Sequence, residues 1–236
     1  GTVKKGNENC FPGMNFEKGE TYTFSMWVRG AVDTTATITI YGGGSSEAEG
    51  MYNGAYEVGK ATLDINTTGD GWQKVSVPVT IEKDVADESG LTADGFADIT
   101  FADPGTYYLD FISLYPVETY NNRENGLNKD LVEKLREMEP GFMRFPGGCV
   151  SEGVGPDNRY NWKKTVGPIE ERKLDWNLWC ENLYSGGESN TYYYQSFGLG
   201  YYEYMLLCED LGCAAMPVMN AGIACELRET GTYGEI

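Results

Sequence analysis

Histidine is absent from the chain. Its absence excludes a Ser-His-Asp relay, a Cys-His pair and any histidine-ligated metal within these 236 residues. General acid/base work is left to carboxylates. Positive charge is also scarce: 18 Lys and Arg stand against 36 Asp and Glu, a net of −18. A surface of that sign repels phosphate, so neither nucleic acid nor an anionic membrane is expected as a partner. There is no apolar run of membrane length, which is about 20 residues. No signal peptide opens the sequence, and either an extracellular or a bacterial cytoplasmic location fits. The six cysteines (Cys10, Cys149, Cys180, Cys208, Cys213 and Cys225) contain no Cys-x-x-Cys pair. Zinc-knuckle and thioredoxin readings therefore fall away, and the thiols read as scattered buried side chains. Neither a metal nor a cofactor is expected.

Apolar and aromatic surface is plentiful. The hydrophobic fraction is 41% and the aromatic fraction 13%, too much for a disordered tail. With 31 Gly, this composition suits a β-rich, loop-rich protein. It also suits a sugar binder, because flat rings stack on sugar faces; core packing is the default role of each ring. At ~150 residues per domain, the length gives one to two domains.

Two regions differ in period. Residues 1–115 read as strands. Thr21–Arg29, Ala36–Tyr41, Trp72–Thr80 and Thr106–Leu114 each alternate apolar and polar positions, and Tyr22, Phe24, Met26 and Val28 share one face. Gly-rich breaks at Gly42–Ser46 and Thr68–Gly71 separate the strands, which suggests a jelly-roll β-sandwich. Residues 116–236 change grammar. Leu127, Leu131, Leu135 and Met138 make a helical stripe that Pro140-Gly141 ends. Phe142–Phe145 reads as a short strand. A second helix spans Gly200 to Leu211, with Tyr201, Tyr204, Met205, Cys208 and Leu211 inward and Gly212 as its stop. Ala214–Met219 reads as another buried strand. This is the grammar of a parallel α/β unit, with only about two repeats present. Such a piece leaves Phe142, Phe145, Val218 and Met219 without partners, so self-association is expected of the lone chain.

The most informative stretch is Arg144-Phe-Pro-Gly-Gly-Cys149. A strand end followed by Pro-Gly-Gly exposes backbone amides at the C-terminal edge of a parallel sheet, where barrel enzymes gather their active sites. Then come Tyr160–Arg172, Asp175–Trp179, Phe197–Glu203, Leu207–Gly212 and Val218–Gly222. In this order, Asn125–Leu131, Phe142–Cys149, Gly167–Arg172 and Leu207–Gly222 resemble the α-L-arabinofuranosidases of glycoside hydrolase family 51. The resemblance covers about residues 113–228. The upstream sandwich resembles the family 4/9 carbohydrate-binding modules through Gly19–Trp27 and Gly71–Lys74.

The resemblance implies an α+β multidomain chain: a sandwich at 1–115, then the opening part of a (β/α)8 TIM barrel at 116–236. It implies a retaining mechanism with two Glu ~5–5.5 Å apart. No segment matches either catalytic Glu, so no catalytic residue is assigned; Glu152, Glu170 and Glu171 read as solvated or ion-paired. What carries over is a sugar-binding shell of Arg144, Gly148, Cys149, Trp176 or Trp179, and Asn220. Arg144 is expected to order carboxylates by bidentate pairing. Platform rings on the sandwich would be Trp27, Tyr41, Trp72 and Tyr107. The implied partners are a plant polysaccharide or oligosaccharide and either the rest of the enzyme chain or a second copy. The alternatives are a non-catalytic carbohydrate-binding module on an incomplete barrel, an endo-β-glucanase parent, and a split enzyme completed by another polypeptide.

Overall fold

The computed structural model describes residues 13–43, 54–66, 71–85, 95–155, 157–178 and 194–225. Two compact units divide the chain after Leu131.

The first unit is built on alternation. Strands β1 (Thr21–Gly30), β4 (Gln73–Thr80) and β6 (Tyr107–Pro116) form one antiparallel sheet in the order β4-β1-β6. Strands β2 (Thr34–Gly42), β3 (Tyr56–Ile65) and β5 (Phe96–Phe101) form another in the order β3-β2-β5. Every second residue of β1 and β2 turns inward. Phe24, Met26 and Val28 from the first sheet and Ala36, Ile38 and Ile40 from the second meet in one core with Val58, Leu63, Ile65 and Val79. Each such buried side chain contributes about 1.5–3 kcal/mol through removal of apolar surface from water. The four strands expected from alternation are all present. Two others have no clean period in the sequence. In β3, the order breaks at Gly59, where an added Cβ would stand 2.7 Å from the Thr80 carbonyl oxygen. Only glycine allows β3 to approach the end of β4 that closely. The residues of β5 are half-buried on both faces, apart from exposed Thr100, so burial does not alternate along it. The register between β1 and β6 shifts between Ser25 and Trp27, opposite Phe111 at φ 44°. A bulge of this kind adds local twist.

The second unit holds a parallel pair. Strand β7 (Phe142–Phe145) runs beside β10 (Ala214–Pro217) with Phe142 opposite Ala214. Parallel neighbours need a long connection, and this one includes the helices α2 (Cys149–Glu152) and α3 (Tyr201–Leu211). Gly212 takes the left-handed conformation at φ 67° and stops α3 as expected. Two-residue strands β8 (Asp175–Trp176) and β9 (Tyr194–Gln195) pair antiparallel. Helix α1 (Lys129–Glu137) opens with the Asn128 side chain accepting the Leu131 N–H at 2.9 Å.

The helical faces agree with expectation at Tyr201, Tyr204 and Cys208 and differ elsewhere. In α1, Leu131 and Met138 are exposed and Val132 is buried; Met138 lies past the last helical turn. In α3, Met205 is exposed, while Leu207 is buried beside Tyr201 and Cys208. Phe145 also departs from the expected unpartnered face. It is 2% exposed, stacked on Tyr204 at 4.7 Å and edge-on to Tyr201 at 5.4 Å. Phe142 and Met219 do remain exposed.

Phe24→Ala is expected to cost about 3–5 kcal/mol, the range for emptying a buried aromatic site. Urea unfolding of the β-rich unit, followed by tryptophan fluorescence, measures it; a loss below about 1 kcal/mol contradicts the shared core.

Candidate functional site

The parallel pair delivers two chain segments to its C-terminal edge. From β7 the chain passes the cis Phe145-Pro146 bond and Gly147 into α2, with Gly148 at its N-terminal boundary. From β10 it runs through Val218 to Cys225. Asn220 ties the segments together. Its Nδ2 donates to the carbonyls of Ser151 (3.1 Å), Glu152 (3.2 Å) and Ile223 (3.0 Å), and its Oδ1 accepts the Gly222 N–H. The Cys225 N–H donates to the Gly153 carbonyl at 2.8 Å. Asn158 extends the frame: its Oδ1 accepts from Val154 N–H and its Nδ2 donates to the Trp176 carbonyl at 2.8 Å. The residues expected at the rim are thus gathered in one region: Gly148, Cys149, Asn220 and Trp176. Arg144 is exposed, and its Nη2 lies 3.8 Å from where a Cβ on Gly148 would stand. Trp179 lies outside the described residues. Glu170 and Glu171 are exposed, and Glu152 is half-buried.

Behind this edge sits a buried ion pair that the sequence did not single out. The bidentate pairing expected of Arg144 is found instead at Arg172; among the described residues no carboxylate pairs with Arg144. Arg172 meets Glu203 through two bonds of 2.9 and 2.8 Å. Its remaining N–H groups donate to the carbonyls of Gly167 (3.1 and 2.8 Å) and Phe197 (2.7 Å), so all five donors are used. Glu203 also accepts the Gly200 N–H at 2.8 Å, which caps α3. Burial alone would raise the Glu203 pKa. The Arg172 and backbone hydrogen bonds, with the Arg172 charge, outweigh it and hold the carboxyl below its ordinary range. Gly200 is forced by contact: a Cβ there would lie 2.0 Å from the Thr165 carbonyl oxygen. Only the spacing Gly200-x-x-Glu203 before an apolar run hinted at this capping arrangement.

An aromatic cluster of Phe145, Tyr160, Phe197, Tyr201 and Tyr204 lies against the pair. A cavity of about 240 Å³ opens between Pro146, Val150, Tyr160, Phe197 and Tyr204. Burial pushes the Tyr160 hydroxyl up to about 12. Asp175, beside Trp176, is also raised by burial, against the opposing pull of Lys164 at 4.0 Å.

On the outer face of the sheet β4-β1-β6, Arg29 lies 5.3 Å from the Trp72 ring and 4.6 Å from the Tyr108 ring. Both rings are exposed. Trp27 lies between Lys74 and Asp110 in register. Its indole N–H is buried and has no hydrogen-bond partner among the described residues. The other two expected platforms each have a covered ring face: Tyr41 stacks on Phe96 at 5.1 Å and Tyr107 on Phe101 at 4.1 Å.

Comparison with known proteins meets this geometry. The family profile of the α-L-arabinofuranosidase 1 domain matches residues 134–234. This segment belongs to that family. The chain resembles the α-L-arabinofuranosidases of glycoside hydrolase family 51. It is 34% identical over 220 residues to an extracellular exo-α-L-arabinofuranosidase of Streptomyces chartreusis, covering 89% of this chain and 22% of the relative. It is 31% identical to α-L-arabinofuranosidase 1 of Arabidopsis thaliana, covering 90% and 27%. The chain therefore spans about a quarter of the length of these curated relatives. The fold matches an arabinose-bound GH51 α-L-arabinofuranosidase structure with a TM-score of 0.70 and 24% identity, over 90% of this chain and 31% of that one. These alignments extend well beyond 134–234, so the β-rich unit is shared with arabinofuranosidases too.

Arg172→Lys is expected to destabilise the second unit by about 3–5 kcal/mol, because an ammonium cannot satisfy the same carboxylate and carbonyls. The Glu203 contribution is present in full above the unfolded-state carboxyl pKa near 4.3. It is lost as pH falls through the lower folded value. Glu203→Gln should therefore flatten the acid limb of a plot of urea midpoint against pH. An unchanged limb refutes the linkage.

Proposed function

We propose that the β7–β10 unit is one wall of a furanose pocket in a retaining α-L-arabinofuranosidase. Both reacting carboxylates would come from sequence outside these 236 residues. The observation that carries this reading is the pinned edge. Parallel strands bring Arg144, Gly148, Cys149 and Asn220 to their C-terminal ends, which is where (β/α)8 barrels place substrate. Each residue then has a distinct task. Gly148 and Cys149 line the sugar subsite with the backbone of the turn after β7. Arg144 reaches across the same turn as a charged donor. Asn220, with its amide already committed to three carbonyls, positions the turn rather than touching sugar. Trp176 supplies the flanking ring. The substrate class is an arabinofuranosyl-bearing plant polysaccharide or oligosaccharide. The unpaired edges of the β7–β10 pair would be covered by further barrel strands or a second copy. On this reading residues 116–236 are the opening of the barrel.

A second reading concerns residues 1–115 as a jelly-roll carbohydrate-binding module. Its support is the exposed Trp72–Arg29–Tyr108 group, two solvent-open rings held by one guanidinium.

The 236-residue chain is expected to show no turnover of a nitrophenyl α-L-arabinofuranoside; turnover abolished by Glu152→Gln overturns the first reading. Affinity electrophoresis in arabinoxylan and in β-glucan tests the second. Retardation should weaken several-fold in Trp72→Ala, and free migration of the parent chain in every plant polysaccharide rejects it.

A further inference from the structure

We propose that Cys149, Glu152 and Cys225 form a binding site for a thiophilic divalent cation, with Zn²⁺ as the representative ion. The two Sγ atoms and a Glu152 carboxylate oxygen lie within 4.8 Å of one another. Zinc bonds thiolate sulfur at about 2.3 Å and carboxylate oxygen at about 2.0–2.2 Å, which puts tetrahedral ligand atoms roughly 3.5–3.8 Å apart. The three groups need to close by about 1 Å, within reach of side-chain rotation.

The backbone is already set for it. Cys149 and Glu152 are first and last in α2, and the Gly153 N–H closes that turn on the Cys149 carbonyl at 2.8 Å. The segment carrying Cys225 is fastened to the same turn by the Asn220 bonds to Ser151 and Glu152 and by Cys225 N–H to Gly153. Two segments far apart in sequence are thus held in register by main-chain and amide bonds that involve no ligand atom. Cys225 is 2% exposed, whereas Cys149 and Glu152 are half-buried. One ligand therefore lies in a dry floor and two face the route from solvent. Two thiols and one carboxylate suit a soft or borderline cation and disfavour Mg²⁺ or Ca²⁺, which prefer all-oxygen shells. Three protein ligands leave a fourth position for water or another molecule. On binding, each thiol gives up its proton to solvent, and two sulfur–metal bonds and one oxygen–metal bond form. A net charge of −18 favours the cation's approach. The inference does not rest on the sugar-binding reading.

The test uses the full reduced chain and Co²⁺ as probe. One Co²⁺ per chain should give a thiolate-to-cobalt charge-transfer band and the intense visible bands of tetrahedral coordination. Co²⁺ uptake should release protons, and Zn²⁺ should displace the Co²⁺ and remove both bands without further proton release. Cys225→Ser and Cys149→Ser should each weaken binding about 100-fold or more. Asn220→Ala keeps all three ligands and should weaken it about 10–100-fold, as loss of an outer support does. Cys213→Ala should leave it unchanged. If the buried Cys225 variant fails to fold, Cys149→Ser and Asn220→Ala decide. Absence of the charge-transfer band overturns the proposal, as does its survival in Cys149→Ser or its loss in Cys213→Ala. A Cys149–Cys225 disulfide whose reduced form takes up no Co²⁺ overturns it equally.

Discussion

The second unit depends on one guanidinium. Arg172 spends all five of its donors on two backbone carbonyls and one carboxylate, and together these bonds fasten three stretches of chain. Gly167 belongs to the loop before it, Phe197 to the approach to α3, and Glu203 to the first turn of α3 itself. Desolvating an arginine costs several kcal/mol, and only complete pairing offsets that. The outcome is geometric specificity: α3 starts where Glu203 and Gly200 meet, and its aromatic face is set against Phe145 on β7. The edge that presents Cys149 and Asn220 inherits its position from this arrangement.

The β-rich unit is organised on a different principle. Its inner faces fill one apolar core, so its stability is spread over many side chains. Its outer face is free to carry chemistry. Trp72, Arg29 and Tyr108 cost the fold little, because they cover one another across neighbouring strands while staying open to solvent.

How much of this was legible in the sequence varied with the physics involved. Alternation revealed β1, β2, β4 and β6, because one face of each is buried and the period of two survives. It concealed β3, where Gly59 replaces a side chain at a close approach, and β5, whose burial does not alternate. The parallel strands β7 and β10 were readable as short apolar runs, but the burial expected of the second was not met: Ala214, Ala215 and Met216 are exposed. The face of α1 was misassigned by one position, Val132 being buried beside exposed Leu131. In α3, Tyr201 and Cys208 are inward as expected and only Met205 was misplaced, because composition cannot say which of several apolar neighbours meets protein. The rim residues Gly148 and Cys149 came from resemblance. The Arg172–Glu203 pair and the Cys149–Glu152–Cys225 group were invisible for a common reason: each joins segments whose proximity exists only after folding.

The parallel pairing also bears on how the molecule is made. Phe142 must wait for Ala214, about 70 residues later, before β7 gains its partner. At a synthesis rate of ~5–20 residues per second, that is a delay of several seconds, whereas antiparallel neighbours in the sandwich are already complete. Throughout it, β7 offers an unpaired edge and the exposed Phe142 ring to anything nearby. The emerging chain is therefore most vulnerable to aggregation after its first unit has closed and before β10 arrives.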